Sequence, residues 1–299
     1  MYHDPVMLTQ CLEGLAIDPD GIYVDVTFGG GGHSRAILER LDKGRLLVFD
    51  QDEDARANAQ AIDDQRFTFI DVNFRHLKKY LRHNGVRQVN GILGDLGVSS
   101  HQFDTAERGF STRFEADLDM RMNTSVGMSA RDVLNDYSEE QLHKIFGMYG
   151  EVQNARTAAA AVVTARANHA INTVNDLKTV LARLAQRGRE NKYFAQVFQA
   201  VRIEVNDEMG ALQDFLEQVP DVLAPDGRLV VMSYHSLEDR LVKNFIAKGK
   251  FHGEVEKDFF GNELKPLRGI TRKPTEASAE EVARNPRARS AKLRVAAKI

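Results

Sequence analysis

An α/β fold is predicted: a Rossmann-like, doubly wound, mostly parallel sheet of seven strands, interrupted by an all-helical insertion. Three observations carry that expectation. Continuous apolar runs alternate with helical patterns over the first hundred residues, a glycine run follows the first strand directly, and strand periodicity disappears near residue 105 and returns near 227. Strands that are apolar along their whole length suit a sheet buried on both faces, which is what helices on both sides provide.

The elements follow in order. IYVDVTF (22–28) is a β-rich run, and SRAILERL (34–41) reads as a helix with Ser34 at its N-cap. RLLVFD (45–50) is the second strand, followed by a helix from near Asp52 to Ile62. FTFID (67–71) is the third, with a helix through FRHLKKYLRHNG, and VNGILGDL (89–96) is the fourth. Helical stretches then follow one another, with Ser129, Ser138 and Asn172 as N-caps. GRLVVMSY (227–234) restores the strand rhythm and the SLEDRLVKNFIAKG helix follows. KPLRGITRK and SAKLRVAAK supply two antiparallel strands. Residues 1–104 and 207–299 therefore read as one domain, and 105–206 as an inserted helical domain suited to substrate recognition.

Composition narrows the partners. With 299 residues, 42% of them hydrophobic, the chain can bury a sizeable core. No run approaches the roughly 20 apolar residues of a membrane span, and MYHDPVMLTQ has no basic-then-apolar leader. The single cysteine, Cys11, excludes an internal disulfide and fits a reducing compartment, so a cytoplasmic protein without a membrane partner is expected. Its apolar neighbours mark Cys11 as a small buried side chain. No His/Cys/Asp cluster has metal-ligand spacing, so no metal is expected; a homodimer stays open. The net charge of −3 hides an asymmetry: residues 207–239 carry 1 Lys/Arg against 8 Asp/Glu, while 240–299 carry 15 against 7. Arg284, Arg287, Arg289, Lys292 and Arg294 crowd together near the end. Such a segment suits a polyanion, because each phosphate contact releases counterions. The alternative is that it neutralises the acidic 207–239 segment inside the fold.

The sharpest local motif is DVTFGGGGHS (25–34). Glycines between strand and helix allow a tight turn and close approach of a ligand, at the crevice where doubly wound sheets bind ligands. No Gly-Lys-Ser/Thr follows, so it is not a P-loop. Asp50 falls about 20 residues on, as a ribose-binding acid of a dinucleotide site does, but the third glycine of that fingerprint is missing and His33 would crowd a pyrophosphate. S-adenosylmethionine uses the same crevice with an acid after strand two and a polar group after strand four. Asp50 and Asp95 occupy those strand ends. Phe74, after strand three, either packs on an adenine ring or is a plain helix core residue.

At this point the chain resembles the MraW (RsmH) family, whose members methylate N4 of a cytidine in the decoding region of small-subunit ribosomal RNA. The matching stretches are HDPVML (3–8), TFGGGGHS (27–34), GDLGVSSHQFD (94–104), RGFS (108–111), LDMRM (118–122), FQAVRIEVNDE (198–208), SYHSLEDRLVK (233–243) and NPRARSAKLRV (285–295). The resemblance implies a class I methyltransferase with small-subunit ribosomal RNA, free or assembled, as partner. It implies that Gly31, Gly32 and His33 contact the methionine end of S-adenosylmethionine, that Asp50 binds its ribose, and that Phe74, Asp95 and Gln102 surround its adenine and adjoining parts. Gly94 departs from the family, where a larger apolar residue is usual, and STRFEAD (111–117) diverges.

The exocyclic amine of cytosine is a poor nucleophile, because its lone pair is delocalised into the ring. A hydrogen-bond acceptor aimed at the N–H localises it and helps shed the proton. Asp95 and His235 are the candidates for that chemistry. Ser99, in the loop after Asp95, Ser236 beside His235, and Arg287 and Arg289 are the candidate RNA contacts. His235 has a second reading as a helix cap, and Glu238 and Asp239 read as first-turn helix residues. A nicotinamide-dependent oxidoreductase and a non-catalytic RNA-binding assembly factor are the competing classes.

Overall fold

The computed structural model describes residues 5–299, so His3 and Asp4 of HDPVML lie outside the described residues. The described chain forms two compact units: one built from the stretch up to Gly97 together with Met209–Ile299, the other from Val98–Glu208. In chain order the first unit begins α1 (Leu8–Leu15), β1 (Ile22–Asp25), α2 (Gly32–Leu38), β2 (Arg45–Asp50), α3 (Glu53–Gln60), β3 (Phe67–Asp71), α4 (Leu77–His83) and β4 (Val89–Asp95). The second holds α5 (Ser100–Asp104), α6 (Ala130–Asp136), α7 (Glu139–Met148), α8 (Ala155–Arg166), α9 (Val174–Leu181) and α10 (Glu190–Asn206). The chain then completes the first unit with α11 (Glu208–Val222), β5 (Leu223–Ser233), α12 (Ser236–Lys248), β6 (Leu267–Gly269), β7 (Thr275–Glu276), α13 (Ala279–Arg284) and β8 (Lys292–Lys298).

The sheet of the first unit runs β3-β2-β1-β4-β5-β8-β6, with β7 also paired to β8. The first five strands are parallel, and β8 is antiparallel to β5, β6 and β7. It is a doubly wound α/β sheet, as expected, with eight strands in place of seven. The additional strand, β7, has two residues, too few to leave a pattern in the sequence. The order reverses between β1 and β4, which makes their carboxyl ends the topological switch point.

Alternation along each buried strand serves both faces. Val24, Leu47, Phe49 and Ile92 join one core with Leu81, Phe215 and Phe245, while Tyr23, Leu46, Val48 and Leu93 join the other with Cys11, Leu15 and Ile37. Cys11 is fully buried, as its neighbours imply. No helix of the described residues is long and apolar enough to cross a membrane.

Two boundaries in the first unit differ from the sequence reading. Ser34 is not the N-cap of α2; that position belongs to Gly31, in the left-handed region, and the Ser34 hydroxyl donates to Asp25 Oδ2 (2.7 Å). β1 stops at Asp25, because Val26 to Gly31 already turn towards the helix.

The second unit is helical, with an isolated bridge between Asp117 and Thr173 as its β pairing among the described residues. Ser129 and Ser138 cap α6 and α7 through complete capping boxes. The cap of α9 is Thr173 and not Asn172; the Asp176 carboxylate accepts from both backbone N–H groups, but the Thr173 hydroxyl takes the return bond. The family-matching stretches interlock here. Leu118 and Met120 of LDMRM are fully buried, the Arg108 guanidinium donates to the carbonyls of Arg121 and Met122, and Asn206 accepts from Met122 N–H and donates to Met120 O. LDMRM is therefore packing for this unit. Gly109 of RGFS has φ 70°, and a Cβ there would strike the Asp117 carbonyl.

In the first unit, β8 buries Leu293 and Val295 and turns Lys292 and Arg294 to the other face. Arg294 grips Asp239 through two bonds of 2.7 and 3.0 Å, with both side chains largely buried. This arginine neutralises the acidic segment, which was the structural alternative for the basic cluster. Arg294→Ala is expected to cost about 3 kcal/mol in urea unfolding, because it strands a buried carboxylate. Adding Asp239→Leu should recover most of that loss; no recovery would place the cost in packing and not in the pair.

Candidate active site

The carboxyl ends of β1, β2 and β4 bring three aspartates to the switch point. Asp25 closes β1 and is 1% exposed. Its Oδ1 accepts from Thr27 N–H (3.0 Å) and its Oδ2 from Ser34 (2.7 Å), so it fixes both ends of the glycine loop. The Thr27 hydroxyl in turn accepts from Asp95 N–H (2.6 Å), locking the loop to β4.

Asp50 closes β2 and holds the loop from the other side. Its Oδ2 accepts from Gly29 N–H (2.8 Å) and its Oδ1 from Asp52 N–H (3.0 Å). Burial pushes the carboxyl up to about 6, opposed by these N–H bonds. With the Gln51 N–H as a third donor, the carboxylate keeps about one of its roughly four acceptor sites for a ligand hydroxyl.

Asp95 closes β4. Burial raises its carboxyl to about 6, with Asp25 and Glu238 adding to the rise; His33 and the Tyr234 hydroxyl oppose it. The Tyr234 O–H donates to Asp95 Oδ1 (2.8 Å), and His33 Nδ1 lies 3.8 Å from Oδ2. Burial and the adjoining Asp95 in turn push the Tyr234 phenol well above its ordinary value. His33 Nε2 lies 3.0 Å from Val6 O, and a carbonyl can only accept, so Nε2 carries a proton and Nδ1 faces Asp95.

The glycines have reasons in the chain's own packing. Gly31 has φ 78°, and a Cβ there would meet the Phe28 ring at 2.9 Å. A Cβ on Gly32 would strike Pro5, which lies over the first turn of α2. That placement disfavours a dinucleotide, because a pyrophosphate needs the helix N-terminus open. Beside Gly94, the space a larger residue would take is lined by Val26, 3.2 Å from an added Cβ.

The remaining expected residues are placed as follows. Phe74 packs edge-on against Phe215, with ring centroids 5.5 Å apart, which is the core reading; it stays half-buried. Ser99 and Gln102 belong to the second unit, where they form the capping box of α5. His235 caps α12: its Nδ1 accepts from Glu238 N–H (3.4 Å), and buried Glu238 accepts from Tyr234 N–H (2.8 Å). The cap leaves Nε2 3.2 Å from Glu238 Oε1, without hydrogen-bond geometry to it. Ser236 and Arg289 are exposed, and Arg287 is half-buried beside the Asn285 turn. Asp25 and Tyr234 had no role assigned from the sequence. Asp25 shares with Asp50 and Asp95 the position at a strand's end, a signal that was available; Tyr234 reaches Asp95 across 139 residues of chain.

Carboxylates at adjoining strand ends, beside a closed glycine turn, suit a cationic ligand bearing ribose hydroxyls. S-adenosylmethionine, with its sulfonium and amino groups, fits that donor set. The chain matches the MraW methylase family over residues 1–299. A protein of Cytophaga hutchinsonii called ribosomal RNA small subunit methyltransferase H is 58% identical over 296 residues, covering 99% of both chains. Proteins of the same name from Parabacteroides distasonis and Christiangramia forsetii are 55% and 54% identical, each covering 100% of this chain and 98% of the relative. With the match spanning every element from the glycine loop to the last strand, this chain belongs to the MraW methylase family.

Proposed function

We propose that this chain transfers a methyl group from S-adenosylmethionine to N4 of a cytidine in the decoding region of small-subunit ribosomal RNA. The observation that carries the reading is the pair of half-buried carboxyls with raised pKa, Asp50 and Asp95, flanking the glycine loop at the switch point. Family membership and the shared name of the relatives support ribosomal RNA as the substrate.

When bound, the cofactor supplies an electrophilic methyl carbon. Asp50 accepts a ribose hydroxyl and, through Gly29 N–H, keeps the loop backbone in register beneath it. Asp95 accepts the N–H of the acceptor amine, which concentrates the lone pair on nitrogen and receives the proton released on methylation. Tyr234 is a positioning residue that holds Oδ1 and leaves Oδ2 for the substrate. Fixing acceptor and donor at near-attack distance supplies roughly 7–11 kcal/mol of the barrier reduction. The helical unit serves substrate recognition, and Ser99, Ser236, Arg287 and Arg289 contact RNA. His235 acts through its cap, holding the Tyr234 segment.

Mass spectrometry of small-subunit ribosomal nucleosides from a deletion strain tests the function. Loss of N4-methylcytidine at one site, restored by the plasmid-borne gene, is expected; an unchanged nucleoside profile would overturn the reading. A finer test is Tyr234→Phe. Removing a bond that lowers the Asp95 pKa should move the acid limb of kcat to higher pH, whereas a purely structural tyrosine would lower stability and leave the limb in place.

A further inference from the structure

Between α12 and β6 the chain projects a short hairpin whose tip carries two almost fully exposed rings. Phe259 is 97% and Phe260 86% exposed, in a T-shaped pair with centroids 5.6 Å apart. Exposing two large rings side by side in water is unfavourable unless they meet a partner. The tip is also built to hold them. Lys257 and Glu263 pair across the hairpin, and Asp258 N–H donates to Asn262 O (2.9 Å). The Asp258 carboxylate accepts from the N–H groups of Phe260 (2.9 Å) and Asn262 (2.8 Å), and from the Asn262 amide (2.8 Å). Gly261, at φ 87°, completes the turn.

The narrow shape of the tip and the charge of the wider segment select the occupant. Glu256 is paired with Lys250 (3.0 Å) and Glu263 with Lys265 (2.5 Å), while Asp258 is engaged by its own turn. Lys250, Lys257 and Lys265 stand against Glu254, Glu256, Asp258 and Glu263, so the tip is balanced to within one charge, while residues 240–299 as a whole carry 15 basic against 7 acidic residues. A protein-binding patch would need a broad apolar centre, roughly 800 Å² on each partner; here the rings rise from a charged stalk. Unpaired nucleotides are the complementary surface, because each offers the flat face of its base to an aromatic ring and its phosphate to a lysine. We propose that Phe259 and Phe260 form a stacking platform for unpaired bases of the RNA substrate. This rests on the reading that the substrate is RNA.

The test uses the full chain with a labelled single-stranded oligoribonucleotide, and separately with purified small subunits lacking the modification. The exposed rings can be changed without threatening the fold. Phe259→Ala with Phe260→Ala should weaken RNA binding by about tenfold for each ring removed. Cofactor affinity and kcat at saturating RNA should stay as they are. Tryptophan at either position should retain binding, and leucine, apolar but unable to stack, should behave like alanine. Unchanged RNA affinity in the double alanine variant overturns the proposal. So does wild-type affinity in the leucine variants, or an effect confined to assembled subunits, both of which indicate docking on a protein. If the wild-type chain binds RNA through these rings and methylates none, the functional reading fails while the platform stands.

Discussion

Asp95→Asn is expected to lower kcat by about 10²- to 10⁴-fold, the usual loss when a positioned proton acceptor is removed. Asparagine keeps the size of the side chain and an oxygen for the Tyr234 hydroxyl, so the fold and the loop lock through Thr27 should survive. It cannot accept the amine proton. The wild-type enzyme should also lose kcat as pH falls through about 6, where Asp95 takes up a proton in its half-buried setting. A solvent-exposed carboxyl would place that limb near 4. Single-turnover rates across pH check both points. An asparagine variant with wild-type kcat would remove Asp95 from the chemistry and leave it as a wall of the cofactor site.

Asp50→Ala should weaken cofactor binding by about 1.5–3 kcal/mol, the range for a hydrogen bond to a charged group. Some loss beyond that is expected because Gly29 and Asp52 N–H lose their acceptor and the loop relaxes. Calorimetry with S-adenosylhomocysteine reads the affinity, and unchanged binding in a folded variant sinks the assignment. The pH dependence of stability has a definite sign. The folded carboxyl titrates at about 6, above its ordinary value of 3.8, so the folded state holds the proton over that window. Stability of the cofactor-free protein therefore falls as pH rises from about 4 to 6, and Asp50→Asn should reduce that slope.

The parts legible in the sequence are those set by neighbours along the chain. β2 and β4 announced themselves because strands buried on both faces have no polar alternation to hide them, and the edge strand β3 through its aromatic and β-branched residues. The helical unit announced itself through lost strand periodicity and through Ser129 and Ser138, whose caps need a backbone N–H three residues on. Asp50 and Asp95 were visible because strand ends in a doubly wound sheet converge by topology. The misses are the same rule in reverse. Asn172 and Thr173 are adjacent capping residues, and side-chain geometry decides between them. The first helix, α1, was not anticipated, and β7 is too short to carry a period.

The sequence by itself determined the fold class, the glycine turn and the two acids that close β2 and β4, because each depends on local periodicity or on position within an element. Tertiary structure alone decided what those acids do to one another and to the loop. Ser34 leaves the expected cap because Asp25, nine residues back, offers a buried acceptor. Arg294 leaves the basic cluster because strand pairing brings β8 alongside the helix that carries Asp239. Tyr234 meets Asp95 because β5 lies beside β4, across 139 residues of chain. Such partners are chosen by register and burial, where a carboxylate removed from water takes the nearest donor in space, and distance along the chain carries no record of that choice.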